Sequence, residues 1–317
     1  MISKIKIGIA GFDKKKEEEL RTIFKKIKFV KLNNANFFDF KNLDAIIIFT
    51  ESELSNNIDN FFFKKKYQNF LNLKWFHLSR AGVEEYSEEI NKLNFILTCG
   101  KIIQGPNVSE HCLALLLYIS RGLRFVNDKK KLLLKRPVDL YKKKALVVGL
   151  GGIGTLITQK LNAFGMKVST VDIRYSPLSY YLEKSYLYED IDNIISDFDV
   201  VINACSLTKK TKNLFSKKVF SKMKKNSIFV NISRGGCVNT NDLIKYLEKK
   251  KFYGVGLDVI DPEPLPLTHK IRKYPEVFFS EHTAGWSENL DRRFKLVIDN
   301  IKRFKKKENL INIVKEY

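Results

Sequence analysis

The sequence predicts an α/β protein made of two units, each with a parallel sheet and crossover helices. Three observations carry this expectation. Strand-like and helix-like stretches alternate along the whole chain, a glycine-rich strand–turn–helix lies near its middle, and the residues before that motif already form an α/β pattern of their own. With 317 residues, 44% hydrophobic and 12% aromatic, the chain has enough apolar side chain for two cores, which excludes disorder.

Lys4-Ile5-Lys6-Ile7-Gly8-Ile9-Ala10 reads as a first strand and lacks the apolar segment of a signal peptide. Lys14 to Ile27 follows as a helix, with Leu20, Ile23, Phe24 and Ile27 on one face. Strands are expected at Lys28 to Leu32, Asp44 to Phe49, Trp75 to Ser79 and Phe95 to Thr98. A long helix begins near Asn107, behind Gly105-Pro106, and carries Val108, Cys112, Leu115, Leu116 and Ile119 on its apolar face. His111, beside Glu110 on that helix, reads as a packing residue. Pro137 and a polar stretch to Lys144 separate the helix from the glycine motif. Later strands are expected at Val200 to Asn203, Ser227 to Asn231, Tyr253 to Asp258 and Val277 to Phe279, before a final helical segment from Trp286 to Phe304.

The central motif is Ala145 to Gly154, an apolar strand that breaks into Gly149, Gly151 and Gly154. A helix from Ile153 to Phe164 and a strand from Met166 to Val171 follow, and Asp172 stands at the strand's end. Each part has a task in holding a dinucleotide. Gly149 permits the tight turn, Gly151 lets the backbone approach a pyrophosphate, and Gly154 brings helix and strand together. The N–H groups of the helix start face the phosphates, and Asp172 accepts from the ribose hydroxyls. This pattern is that of a Rossmann-type unit. The carboxylate favours NAD over NADP because it repels a 2′-phosphate, although Arg174 nearby is a residue type that accommodates one.

The formal charge is +22, but the lysine triplets at 14–16, 64–66, 129–131, 142–144, 249–251 and 305–307 are scattered. Solvated lysines on outer faces are therefore expected, with no nucleic-acid partner. The longest apolar run, Cys112 to Ile119, is too short to cross a bilayer, so no membrane partner is expected. Cys99, Cys112, Cys205 and Cys237 show no metal-ligand spacing, which predicts reduced thiols in a cytoplasmic protein and no bound metal.

Three polar residues stand where strands of the second unit end. Arg234 follows Val230-Asn231-Ile232-Ser233, Glu263 lies in the proline-stiffened loop Asp258 to Pro266, and His282 follows Val277 to Phe279. Ligands of open α/β sheets bind beyond the carboxyl ends of the strands. Hydride transfer to a 2-keto acid needs a proton donor near neutral pH, which suits histidine. It also needs a cation for the carboxylate, which suits arginine, and a carboxylate fixes the imidazole tautomer. Alone, each residue reads equally well as a solvated charge, a surface turn or a structural histidine, and the residues by themselves leave that choice open.

Together these motifs resemble the D-isomer-specific 2-hydroxyacid dehydrogenases over nearly the whole chain. Ser206-Leu207-Thr208 with Thr211 resembles that family's Pro-Leu-Thr segment. Asn231 to Gly236, Gly256 to Pro266 and His282 to Gly285 resemble its arginine, glutamate and histidine motifs. Ser79-Arg80-Ala81-Gly82-Val83 is similar to the loop whose backbone N–H groups take the substrate carboxylate, and Glu110 to Leu117 to the start of its interdomain helix.

The resemblance implies roles for these positions. Arg234 would bind the substrate carboxylate and carbonyl, His282 would be the general acid/base, and Glu263 its partner. The cofactor would lie along Gly149 to Gly154, Asp172, Ile173, Arg174, Cys205, Ser206, Leu207, Thr211, Ile232, Ser233, Arg234, Asp258, His282, Ala284 and Gly285. Substrate contacts would include Arg80, Ala81, Gly82, Val83 and Trp286. A flavodoxin-like substrate domain of residues 1–104 and 285–317 would be interrupted by an NAD-binding domain of 105–284, with a cleft that closes between them. A homodimer and a small 2-keto or 2-hydroxy acid of glyoxylate or hydroxypyruvate type are implied. Some relatives of this fold serve instead as dinucleotide-sensing corepressors. Two positions depart from the family pattern, since Glu281 and Ser206 stand where proline is usual. Glu281 raises the expectation of a second carboxylate near His282.

Overall fold

The computed structural model describes residues 5–50, 54–83, 86–123, 136–177, 181–288 and 290–314. The chain divides into two compact units, Met1–Ile103 with Ser287–Tyr317, and Gln104–Trp286.

The first unit has five parallel strands, β1 (Lys6–Ala10), β2 (Lys28–Lys31), β3 (Ala45–Ile48), β4 (Trp75–Leu78) and β5 (Ile96–Cys99), in the order β2-β1-β3-β4-β5. This is the flavodoxin-like order. Its helices are α1 (Lys14–Ile23), α2 (Ser55–Phe63) and α3 (Ser87–Ile90). Strands such as Ala45–Ile48 are buried on both faces, hence their unbroken apolar sequence. One face packs under α2 through Ile58, Phe61 and Phe62. The other is covered by α1 through Leu20 and by the last helix through Phe294, Val297 and Ile301.

The second unit has seven strands, β6 (Lys144–Val148), β7 (Lys167–Asp172), β8 (Lys184–Leu187), β9 (Val200–Asn203), β10 (Ser227–Asn231), β11 (Phe252–Leu257) and β12 (Val277–Phe279). Their order is β12-β11-β10-β9-β6-β7-β8, all parallel. The order reverses between β6 and β9, where the crevice of such a sheet opens. Helix α4 (Gly105–Ser120) covers one face with Val108, Cys112, Leu115, Leu116 and Ile119, all buried. Beyond it run α5 (Gly152–Ala163), α6 (Ile191–Ile194), α7 (Lys217–Lys222) and α8 (Thr240–Glu248), and α9 (Asp291–Lys306) closes the chain.

Two expected helices differ in length. Helix α1 stops at Ile23 rather than Ile27: Phe24 leaves helical geometry with φ −115° and ψ 54°, and Ile23 is 43% exposed while Phe24 and Ile27 are buried. The spacing expected of a longer helix is produced by a turn that folds two apolar residues inward. The final helix starts at Asp291 rather than Trp286, and Trp286 is 77% exposed. The lysines of the triplets at 14–16, 64–66, 142–144, 249–251 and 305–307 are exposed or half-buried, and the triplet at 129–131 lies outside the described residues. No helix among the described residues is long and apolar enough to cross a membrane. The four cysteines are free and buried.

Candidate active site

The glycine turn fits a dinucleotide. Gly149 has φ +96°, and a Cβ there would meet the backbone of Cys205, so the turn after β6 and the loop after β9 touch directly. A Cβ on Gly154 would collide with the carbonyl of Gly149, which keeps α5 against the turn. At Gly151 the added carbon would meet nothing within 4 Å. That open cradle lies at the start of α5, where the N–H groups of Gly152 and Ile153 precede the helical bonding pattern and suit a pyrophosphate.

Asp172 ends β7 with both carboxylate oxygens engaged by the backbone. Leu150 N donates to Oδ2 at 2.5 Å and Ile173 N to Oδ1 at 2.7 Å. The acid thus holds the glycine turn, and its remaining lone pairs suit ribose hydroxyls. Ile173 and Arg174 beside it are exposed.

The loop after β9 is ordered by residues expected to touch cofactor. The Cys205 side chain is buried, so only its backbone is positioned to serve a ligand. The Thr211 hydroxyl lies inside the turn, donating to Ser206 O at 2.6 Å and accepting from Thr208 N at 2.7 Å. Its part is to shape the loop, which leaves Ser206 exposed and Leu207 half-buried. Ser233 Oγ donates to Cys205 O at 2.5 Å. Ile232 is buried beside it.

Two buried carboxamides missing from the expected set join these strand ends. Asn203 donates to Asn231 Oδ1 at 2.9 Å, and Asn231 donates to the carbonyls of Arg234 at 3.2 Å and Val259 at 3.3 Å. Both are apolar-strand termini in the sequence, and only their burial at 0% exposure reveals the role. Arg234 is half-buried, with Nη1 donating to Ser233 O at 2.8 Å.

His282 Nδ1 lies 2.5 Å from Glu263 Oε1. The hydrogen bond to Glu263 raises the imidazole pKa, against partial burial and the Arg234 charge, with Asp258 adding to the rise. Reciprocally, the His282 bond lowers the Glu263 carboxyl, and Arg234 lowers it further. Glu263 and His282 therefore set each other's charge, and Arg234 is close enough to act on both.

The histidine turn is strained and well held. Glu281 and His282 have φ +50° and +60°, left-handed conformations that cost side-chain-bearing residues about 1–2 kcal/mol each. His282 N donates to Asp258 O at 2.6 Å, and Asp258 Oδ1 accepts from Thr283 N at 2.9 Å, Ala284 N at 3.2 Å and Ser280 Oγ at 2.8 Å. Ala284 is buried and Gly285 packs beside Gln104.

Two expectations are corrected here. Glu281 is not a second carboxylate for His282: its Oε1 accepts from Arg272 Nη2 at 2.9 Å. Its left-handed backbone turns the side chain toward that guanidinium, and a proline, locked near about −65°, cannot hold this φ. His111 does more than pack, because its Nε2 lies 2.7 Å from Ser280 Oγ and 3.6 Å from Asp258 Oδ1. One histidine on a helix gives no sign of a partner 169 residues away.

Arg80, Ala81, Gly82 and Val83 follow β4 in the first unit, where the Val83 side chain is fully buried and the Arg80 guanidinium lies 5.1 Å from the Tyr86 ring centre. Among the described residues no group of three or more His, Cys, Asp or Glu could hold a metal ion.

A parallel sheet with an open glycine cradle at its reversal point and a His–Glu pair beyond the ends of β11 and β12 defines a class, the dinucleotide-binding α/β proteins. The profile of the D-isomer specific 2-hydroxyacid dehydrogenase NAD binding domain matches residues 111–284, and the chain belongs to that family. Glyoxylate reductase from Pyrococcus horikoshii is 27% identical over 282 residues, 84% of this chain and 81% of that one. Human glyoxylate reductase/hydroxypyruvate reductase is 37% identical over 125 residues, 39% of this chain and 38% of the relative. Against this and similar curated relatives the chain spans only 38% to 55% of their length. A D-isomer specific 2-hydroxyacid dehydrogenase family protein from Aeromonas salmonicida superposes with a TM-score of 0.84 over 99% of this chain and all of that one, at 22% identity.

Proposed function

We propose that this protein is an NAD(H)-dependent reductase of small 2-keto acids, acting in reverse as a D-2-hydroxyacid dehydrogenase. The observation that carries the reading is the 2.5 Å contact between His282 Nδ1 and Glu263 Oε1, with the Arg234 charge acting on both groups. NADH, when bound along Gly149 to Ile153 and Asp172, supplies the hydride. Glu263 holds the Nδ1 proton, so the proton His282 gives to the nascent alkoxide is the one on Nε2. The planar fork of Arg234 suits a carboxylate and draws electron density from the adjacent carbonyl. In the oxidative direction the neutral imidazole takes the hydroxyl proton at the same Nε2. The unit of residues 104–286 is the cofactor-binding part in this reading, and the homodimer and cytoplasmic location go with it. The glyoxylate reductase names of two relatives place glyoxylate and hydroxypyruvate first in the substrate panel.

The test is a panel of 2-keto acids with NADH and with NADPH, followed by loss of cofactor absorbance. Turnover of a short 2-keto acid with NADH is expected. NADH binding without turnover of any member would reject the reading and favour a dinucleotide sensor.

A further inference from the structure

Glu263 and His282 come from two loops that border a cavity of about 400 Å³ rather than a packed core. Glu263, Leu265, Arg272, Phe279 and Glu281 all line it. Leu265 and Phe279 meet one apolar cluster, while across the cavity the two loops are joined by polar contacts. Arg272 spans the gap. Its Nε donates to Pro266 O at 3.2 Å and its Nη2 to Leu265 O at 2.9 Å, both on the loop that carries Glu263. The same Nη2 donates to Glu281 Oε1 at 2.9 Å, on the residue before His282. The guanidinium also lies 5.4 Å from the centre of the Phe279 ring, at the end of the strand that leads into the histidine turn.

We propose that Arg272 is a positioning residue, a strut between the glutamate loop and the histidine turn that sets the contact between Glu263 and His282. A planar fork with several fixed donors suits this use, because it fixes direction as well as distance. Glu281 anchors the far end. An isolated surface ion pair contributes little stability, so the pair's value lies in geometry. The charged groups that move the His282 imidazole are Glu263, Arg234 and Asp258, and Glu281 acts through the backbone it fixes. A displacement of about 1 Å in a catalytic pair costs up to about a hundredfold in rate. The proposal rests on the keto-acid reductase reading for its kinetic arm only.

The experiment compares Arg272→Met, Arg272→Lys and Glu281→Gln in the full-length chain, each checked for folding by circular dichroism. The first readout is the NMR titration of the His282 imidazole, assigned by its loss in His282→Gln, and it needs no substrate. Arg272→Met is expected to lower the midpoint by about half a pH unit as the Glu263 bond lengthens. Arg272→Lys should recover part of that shift, because an ammonium reaches Glu281 but cannot also serve both carbonyls. The second readout is kcat for keto-acid reduction, expected to fall about tenfold in Arg272→Met while the KM for NADH stays constant. If Arg272→Met does not fold, Glu281→Gln, at an exposed position, carries the test with a smaller shift in the same direction. A His282 titration unchanged in folded Arg272→Met, or in Glu281→Gln where that variant stands in, overturns the proposal. Absence of any turnover in the wild type would overturn the functional reading instead, and the titration would still decide the role of Arg272.

Discussion

Asp258 grips His282 from beneath twice over: its carbonyl accepts the His282 N–H at 2.6 Å, and its carboxylate accepts the next two backbone N–H groups, those of Thr283 and Ala284. Asp258 is itself buried at the end of β11. The strained φ values of Glu281 and His282 are thus held by a residue on the neighbouring strand. Asp258→Ala removes the acceptor of the Thr283 and Ala284 N–H groups, at about 1–3 kcal/mol for a donor left buried, as at Ala284. The expected outcome is faster amide hydrogen exchange at Thr283 and Ala284, while Asp258→Asn, which keeps an acceptor oxygen, stays near the wild type. Equal exchange in wild type and Asp258→Ala would show that the turn holds itself.

Removal of the proton donor should separate chemistry from binding. His282→Ala is expected to cut kcat by about 10²–10⁴-fold with NADH affinity unchanged. Arg234→Ala should lower kcat and raise the keto-acid KM together, since its contact serves substrate and transition state alike. Stopped-flow turnover with a fluorescence titration of NADH checks both, and near-normal kcat in His282→Ala would refute the mechanism.

The pH profile has a defined sign. Glu263 raises the His282 pKa, and reduction requires the protonated ring, so activity is high below that pKa and lost as pH rises through it. In Glu263→Gln the counter-charge is gone and the loss should move to lower pH. With Glu281 paired to Arg272, only the smaller contribution of Asp258 remains to sustain the shift. A profile with the wild-type midpoint in Glu263→Gln would contradict this.

Cofactor choice should depend on Asp172. Its carboxylate repels a 2′-phosphate and also ties down the Leu150 N–H, so Asp172→Ala should raise the KM for NADH and narrow its advantage over NADPH. Wild-type kcat/KM higher with NADPH would be the contrary result.

Acid stability of the first unit should trace to His77. This ring is fully buried, with Nδ1 2.8 Å from Thr98 Oγ1 and Nε2 3.2 Å from Ser79 Oγ, and burial pushes its pKa down to about 3. Unfolded, the ring titrates near 6.5. Between those values the unfolded chain binds a proton that the native chain does not, so stability is present above about 6.5 and lost as pH falls toward 3. His77→Gln should flatten that acid limb in urea melts, whatever its stability at neutral pH. An unchanged slope would assign the limb to other groups.

Much of this fold is legible because its strands are buried on both faces. Val200–Asn203 and Ser227–Asn231 stand out as apolar runs with abrupt polar ends, and the edge strand Val277–Phe279, half-buried, is still an apolar run. The other edge strand, Lys184–Leu187, does not, because its sequence keeps no apolar run. The glycine turn and the Arg, Glu and His positions are readable since each follows such a run. Arg272 with Glu281, and His111 with Ser280, are not, because an ion pair between loops and a bond from helix to turn leave no periodic trace.

The return of α9 to the first sheet sets an order of maturation. Phe294, Val297 and Ile301 cover Ile7, Ile9, Ala45 and Trp75, residues made long before them. On a ribosome the inserted unit, residues 104–286, is fully synthesised first, while one face of the older sheet waits bare for its cover. The segment born first is thus the last to be sealed.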